Sequence, residues 1–316
     1  MNIGIALTDA IAGSASTVGC ANTVDETVEL VRQAARAGLR SAWLGQRMDF
    51  DSVALAGIAA REVPGIALGT AAVPIFARHP ILVSSQAQTS QAASHGRYTL
   101  GLALGSKAMT EAAFGVPYDR PVARLREFLT ALRGLLADGT AEFRGEILTA
   151  VTPAPAAVAG AVPPVPVLVA AMGPQALRVT GELADGTVPL FVSPKVLAEH
   201  IVPPVTAAAA RAGRPAPRIA VLVPGVVTHD AAAAREAAVA ATAFYDRIPS
   251  YQRVTALAGA SRTADLVALG DEQTIARTVR SYFDAGATEV IFTQTNLLGP
   301  DARLRTWELL GALAAH

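Results

Sequence analysis

An α/β fold, a (β/α)8 TIM barrel with insertions after strands 4 and 7, is predicted for this 316-residue chain by three observations. Eight short β-rich runs alternate with helical patterns: NIGIAL, SAWLG, GIALGTAAVPI, YTLGLAL, VPVLVAA, TVPLFV, RIAVLVPGVVT and TEVIFT. That count and alternation are those of a barrel of parallel strands. Helices end at Ala-Gly and begin at proline. Hydrophobic residues make up 52% and charged residues 16% of the chain, which suits strands buried on both faces. The length alone allows two domains, but the eightfold pattern favours one domain over residues 1–316.

Taken in order, NIGIAL is a first strand rather than a signal peptide, because no basic segment precedes it. TVDETVELVRQAARAG follows, with Val24, Val28 and Val31 at helical spacing and Thr23 with Glu26 as a capping box. ARAGLRSAWL and FDAGATEVIF share one junction, in which Gly38 and Gly286 stop a helix in the left-handed conformation before a strand. Pro80, Pro174 and Pro194 stand at first helical positions, where the missing N–H interrupts no helical bond. After the fourth strand a helix from Pro121 to Asp138 leads to GTAEFRGEILTA, a small hairpin, and then to a proline-rich tract. After the seventh, Ala231 to Leu269 exceeds one crossover helix. Such segments cap a barrel mouth or meet a second subunit.

Several classes of function are disfavoured. Basic and acidic residues number 26 each, so no excess positive field attracts nucleic acid or an anionic membrane. Cys20 is the only cysteine, which excludes an internal disulfide and a cysteine-based zinc site and points to a reducing cytoplasm. The low-charge tract from Pro153 to Met172 holds five prolines, too many for a lipid-spanning helix. His79 and His229 lie on separate loops without ligand spacing, so no metal is expected. Ser106 lacks the context of a hydrolase nucleophile.

The polar residues that follow the strands include Asp9, Gln46, Arg47, Ser106, Lys195, Gln294 and Asn296. At Met172-Gly173-Pro174 a helix starts directly after a strand with no charged side chain nearby. Two readings stand. The glycine makes a compact turn, or the N–H groups of Gly173 and Gln175 form an anion site at the positive end of the helix dipole. LALGSK at 102–107 is a second such junction, with the same two readings.

GTAAVPIFARHPILVSSQAQTSQAASHGRYTLGLALGS, VLVAAMGPQALRVTGELADGTVPLFVSP and LVALGDEQTIARTVRSYFDAGATEVIF, in this order, resemble the bacterial luciferase-like superfamily, and most closely its coenzyme F420-dependent oxidoreductase branch. The resemblance covers essentially the whole chain. It implies a (β/α)8 barrel, often a homodimer, that binds a flavin or deazaflavin at the C-terminal strand ends. It also implies a non-prolyl cis bond between Ala71 and Ala72, with Val73 beside it, under the cofactor ring. Leu104, Gly105 and Ser106 would then line the ring and polyol, and Met172, Gly173 and Gln175 the phosphate. The chain departs from the family at the second strand, where an acidic residue and histidine are replaced by Gln46 and Arg47. Ser106 stands where the sugar-phosphate dehydrogenase branch has glutamate, which argues against glucose-6-phosphate oxidation.

The resulting expectation is an F420-dependent reductase or dehydrogenase acting on a small organic substrate, with the cofactor supplying the hydride chemistry. Gln46, Arg47 and Ser106 are the candidate catalytic groups. Asp9 and Lys195 are candidate substrate contacts. Arg47 and Lys195 each also read as surface residues. The alternatives are an FMN-dependent monooxygenase using reduced flavin and oxygen, and a non-catalytic cofactor-binding barrel.

Overall fold

Runs of Val, Ile, Leu and Ala bounded by glycine and proline form the strands, and the amphipathic stretches between them form the helices. The computed structural model describes residues 1–11 and 19–315. In chain order it contains β1 (Ile3–Ala6), α1 (Thr23–Arg36), β2 (Ser41–Leu44), α2 (Ser52–Glu62), β3 (Ala67–Thr70), β4 (Val73–Pro74), α3 (Pro80–Ala93) and β5 (Tyr98–Ala103). Next come α4 (Lys107–Phe114), α5 (Pro121–Asp138), β6 (Glu142–Arg144), β7 (Thr149–Val151), β8 (Val167–Ala170), α6 (Pro174–Leu183), β9 (Gly186–Thr187), α7 (Pro194–Val196) and α8 (Val202–Arg211). The chain ends with β10 (Arg218–Val227), α9 (Ala231–Thr242), α10 (Pro249–Leu257), β11 (Ala268–Gly270), α11 (Glu272–Asp284), β12 (Glu289–Thr293) and α12 (Pro300–Ala314).

This is a (β/α)8 TIM barrel, and its strands are distributed over two compact units. The first unit comprises Met1–Trp43, Val188–Pro203 and Arg218–His316, the second Leu44–Thr187 and Pro204–Pro217. In the first unit the ladder runs β11-β10-β12-β1-β2, all parallel, with Ile5 opposite Phe292 and Leu222 opposite Ile291. Ile3, Ile5, Val221, Val290, Ile291 and Phe292 are buried, as expected of strands covered on both faces.

One end of this ladder is tied by a buried acid. Glu289, 1% exposed, accepts hydrogen bonds from the Ser41 hydroxyl (2.5 Å), Trp43 Nε1 (3.2 Å) and Arg218 Nη2 (3.0 Å). Three donors offset the desolvation that a lone buried carboxylate would suffer.

In the second unit β3, β5, β8 and β9 form a parallel ladder, and β4 continues alongside β5 with Val73 opposite Leu102. Gly101 permits a close approach here. A Cβ on it would fall inside the van der Waals shell of the Thr70 carbonyl oxygen. The Thr70 hydroxyl accepts from Gly101 N (2.9 Å) and donates to Gly101 O (3.1 Å). The insertion after β5 is built as expected: α5 spans Pro121–Asp138, and β6 pairs antiparallel with β7. Glu127 of α5 accepts the N–H groups of Glu146, Ile147 and Leu148 at 2.9–3.0 Å, which fixes the hairpin turn.

Two expectations need correction. The N-cap of α1 is Asn22, whose side chain accepts from Asp25 N at 2.9 Å, in place of a Thr23–Glu26 box. Thr23 is already helical, and Glu26 is buried within electrostatic reach of Arg303. The sixth run, TVPLFV, keeps only its first residue, Thr187, in the two-residue β9, and an isolated bridge from Leu190 to Leu222. Pro189 has no N–H to give the ladder, and Phe191 turns left-handed at φ 56°. The junction signals agree with the structure: Gly38 and Gly286 have φ of 89° and 100°, and Pro80, Pro174 and Pro194 open α3, α6 and α7.

Candidate functional site

In the second unit, three neighbouring parallel strands deliver the expected cofactor residues at their C-terminal ends. Ala71 and Ala72 follow β3 and are joined by a cis peptide bond, at the position implied by the resemblance. Ala71 N donates to Leu44 O at 2.8 Å, and Val73 is buried in β4. Leu104, Gly105 and Ser106 follow β5, whose Ala103 O accepts from Ile75 N at 2.9 Å. Gly105 is left-handed at φ 73°, and the Tyr118 hydroxyl donates to its carbonyl at 3.3 Å. Tyr118 stacks on Phe76 at 4.5 Å, and Arg124 lies 4.9 Å from the centre of the Phe76 ring. Met172 and Gly173 follow β8.

The start of α6 differs from those of α2, α3 and α4, and shares with α5 the lack of a side-chain cap. Asp51 accepts from the first turn of α2, His79 from that of α3 and Ser106 from that of α4. Gly173 has no side chain to accept, and no side chain caps α6. Gly173 lies at φ −87°, so the backbone does not demand glycine there. Its distinctive contribution is a helix N-terminus without a side-chain cap, with Met172 and Gly173 half-buried and Gln175 exposed.

The three candidate catalytic side chains all have partners. The Gln46 amide nitrogen donates to Arg47 O (2.7 Å) and Phe50 O (2.6 Å), while its oxygen accepts from Ser52 Oγ (3.1 Å) and Arg78 Nη2 (3.1 Å). Arg47 forms a two-pronged pair with Asp49 at 2.9 and 2.8 Å and lies 5.3 Å from the Phe50 ring centre. Ser106 caps α4 by accepting from Met109 N at 3.3 Å. Gln46 and Arg47 thus shape one loop, and Ser106 starts one helix.

Asp9 and Lys195 lie in the first unit. Lys195 is exposed on the short α7. Asp9 is different. Its Oδ2 accepts from Asn296 N at 3.2 Å, whereas its Oδ1 is sealed from solvent without a hydrogen-bond partner among the described residues. Burial pushes its pKa up to about 6, against the lowering influence of the Asn296 and Gln294 N–H groups and the Arg303 charge. Gln294, directly after β12, also holds a buried and unpartnered side-chain oxygen among the described residues. Sequence reasoning missed the aromatic residues of this unit. Phe191 lies 4.9 Å from Tyr245 and 5.7 Å from Tyr251, and the two tyrosines lie 5.0 Å apart edge to face. The available signal was FYDRIPSY at 244–251, an aromatic cluster in a chain with only 5% aromatic residues.

Among the described residues no group of three or more His, Cys, Asp or Glu side chains could hold a metal ion, and no helix is long and apolar enough to cross a membrane. Ala71 and Ala72, the left-handed Gly105 and the uncapped head of α6 thus lie at C-terminal strand ends, the face where barrels place their sites.

The chain belongs to the luciferase-like monooxygenase family, whose model matches residues 1–289. It is 35% identical over 210 residues to an uncharacterized protein of Mycobacterium tuberculosis, and this match covers 62% of each chain. It is 30% identical over 189 residues to the 5,10-methylenetetrahydromethanopterin reductase of Methanolobus tindarius, covering 59% of this chain and 56% of that protein. The matched region thus spans less than two thirds of the length of these curated relatives. The coenzyme F420-dependent tetrahydromethanopterin reductase of Methanopyrus kandleri has the same fold, with TM-score 0.76, 20% identity and coverage of 98% of this chain and 97% of that one. So does the oxygenating constituent of 3,6-diketocamphane monooxygenase of Pseudomonas putida in complex with FMN, with TM-score 0.76, 17% identity and coverage of 98% and 96%. Related enzymes therefore use F420 or FMN and act on small molecules.

Proposed function

We propose that this protein is a coenzyme F420-dependent oxidoreductase that moves a hydride between the deazaflavin and a small organic substrate. The observation that carries the reading is the uncapped N-terminus of α6 at Gly173, beside the ends of β3, β4 and β5. The donor set fits the group. Backbone N–H groups at the head of a helix suit a phosphate, and the small half-buried side chains of Ala71 and Ala72 leave room for a flat ring. Support for F420 over FMN comes from the residue patterns around Ala71–Val73, Leu104–Ser106 and Met172–Gln175, and from the match to a methylenetetrahydromethanopterin reductase.

When bound, the deazaflavin supplies or accepts the hydride. The chain supplies binding and orientation. Met172, Gly173 and Gln175 hold the phosphate through the head of α6. Ala71, Ala72 and Val73 support the ring, and Leu104, Gly105 and Ser106 flank it. Gln46 and Arg47 brace the loop after β2 and thereby position what lies against it.

The test is a paired titration of the apoprotein with F420 and with FMN, repeated on Gly173→Asp. F420 is expected to bind more tightly than FMN. A carboxylate at the head of α6 should weaken F420 binding at least about tenfold in a variant that melts within a few degrees of the wild type. Tighter FMN binding, with product formed only under air, would select the monooxygenase. Unchanged F420 affinity in folded Gly173→Asp would remove the phosphate assignment.

A further inference from the structure

Leu44 O accepts from Ala71 N at 2.8 Å, which sets the loop from Gly45 to Asp51 on one side of the Ala71–Ala72 ring seat. On the other side β5 pairs with β3 and β4, and α4 starts directly after it. Adjacent strands lie about 4.8 Å apart, so the roots of the two segments are on the order of 10 Å apart, the width of a small molecule. Both segments hold apolar side chains in water. Met48 is 66% exposed, and Met109 and Phe114 are each 42% exposed. One such side chain is ordinary on a protein surface, but three around one seat form a patch with a use.

Hydrogen bonds hold both segments in place. Gln46 donates to Phe50 O and accepts from Ser52 Oγ and Arg78 Nη2, and Arg47 pairs with Asp49, so Met48 stands on a braced turn. At the head of α4 the Ser106 hydroxyl accepts from Met109 N. Beyond its end the Tyr118 hydroxyl donates to Gly105 O, and the Tyr118 ring stacks on Phe76. Buried Thr110 turns α4 towards the seat, because a Cβ on Gly105 would stand 3.5 Å from its Oγ1. Phe114, four residues further, shares that face of the helix.

The placement of methionine is an independent signal. The chain has four, and apart from Met1 each follows a strand end: Met48 after β2, Met109 after β5 and Met172 after β8. Methionine commonly fills gaps in cores, yet the buried core of the described residues is built without it. At exposed positions its flexible, polarizable thioether suits a surface that adapts to apolar ligands. The arginines beside the seat are already matched. Arg47 pairs with Asp49 at 2.8 Å, and Arg78 donates to Gln46 Oε1 at 3.1 Å and lies 3.5 Å from Asp51 Oδ2. An ionic substrate would have to displace those partners to reach them.

We propose that Met48, Met109 and Phe114 form the substrate side of the ring seat and select an uncharged, apolar substrate. The proposal rests on the oxidoreductase reading, which puts the ring on Ala71–Val73, and adds to it the class of molecule received there. The body of the substrate displaces water from Met48 on one side and from Met109 and Phe114 on the other, and the thioethers adjust to its outline.

NMR of the full chain labelled at the methionine methyl groups tests the site, because four methionines give four signals, assigned through single Met→Leu variants. Acetophenone is the probe, and para-acetylbenzoate carries the same ketone on a charged body. Acetophenone should shift the Met48 and Met109 signals saturably and leave that of Met1 unmoved, both without cofactor and with oxidised F420 present. Para-acetylbenzoate should bind at least about tenfold more weakly. Met48→Gln combined with Met109→Gln should weaken acetophenone binding about tenfold, with the Met172 signal in place as the sign of an intact fold, while the Leu variants stay within about twofold of the wild type. Signals of Met48 and Met109 that do not move up to the solubility limit of acetophenone, para-acetylbenzoate binding as tightly as acetophenone, or wild-type affinity in the double Gln variant would each overturn the proposal. The cofactor reading has its own signal in Met172, which should move with F420 alone. Acetophenone binding without that response would sink the F420 reading and leave the apolar site, and the response without movement of Met48 and Met109 would do the reverse.

Discussion

Asp9→Asn should stabilise the unliganded protein at neutral pH, and the gain should disappear in acid. The carboxyl titrates at about 6 in the folded protein, against an ordinary value of 3.8. A raised pKa means that the folded state favours the proton. The stabilisation from that proton is complete below about pH 4 and is lost as pH rises through about 6. A shift of roughly two units corresponds to at most about 3 kcal/mol at neutral pH, and the half-buried setting of Asp9 reduces this to about 1–3 kcal/mol. For a chain of 316 residues the unfolding entropy is roughly 0.7 kcal/mol per kelvin, so the variant should gain about 2–4 °C in Tm. Asparagine keeps an oxygen for the Asn296 N–H without carrying a charge. Thermal melts of both proteins at pH 4 and pH 7.5 isolate the effect, because the remaining titrations largely cancel in the difference between variants. A Tm difference between variant and wild type that is equal within about 1 °C at the two pH values would refute this reasoning.

Three further outcomes follow from the packing. Glu289→Ala removes the acceptor of the buried Ser41 hydroxyl and the ion pair with part-exposed Arg218, while Trp43 Nε1 keeps its bond to Ser41 Oγ (2.9 Å), and should cost about 2 kcal/mol, read as a lower denaturant midpoint with an unchanged slope. Gly101→Ala drives a methyl group into the Thr70 carbonyl and should destabilise the protein by about 3 kcal/mol or more, seen as loss of soluble folded chain or a sharply lowered Tm. Arg47→Ala, which removes a pair with exposed Asp49, should change stability by less than about 0.5 kcal/mol. Once a substrate is known, equal falls in kcat and kcat/KM for Arg47→Ala would identify a role in the transition state, and unchanged constants would leave the arginine as a loop brace.

The barrel was legible because its signals are local. Gly38 and Gly286 stop helices, Pro80, Pro174 and Pro194 start them, and apolar runs between such markers become strands. The sixth strand was overestimated because TVPLFV has the composition of a strand, while Pro189 denies the ladder a donor and Phe191 turns out of it. The capping box failed by one residue because both Asn22 and Thr23 are good caps, and only the backbone shows which stands outside the helix. At the strand ends, sequence position identified the residues but not their partners. Gln46 and Arg47 look like free polar groups in the sequence, yet one bonds Phe50 O and Arg78 and the other Asp49. The environment of Asp9 depends on Asn296, 287 positions away, and no local pattern encodes it.

Two acids on the β1–β12 side of the first unit lie at opposite ends of a parallel ladder and are compensated differently. Glu289 opens β12, and its carboxylate is matched by three donors, one of them cationic. Asp9 follows the C-terminal end of β1, and its Oδ1 has no donor among the described residues although that atom is sealed from water. Both carry the cost of desolvating a carboxylate, but only the environment of Glu289 compensates it within the fold. The left-handed Gln294 beside Asp9 adds a second local cost at the same strand end. Unfavourable contributions concentrated at C-terminal strand ends are expected where a ligand completes the structure, because the scaffold must hold a geometry that is satisfied only on binding. The pH-dependent gain in Asp9→Asn, set against the uniform loss in Glu289→Ala, therefore distinguishes a carboxylate that the fold leaves uncompensated from one that it matches.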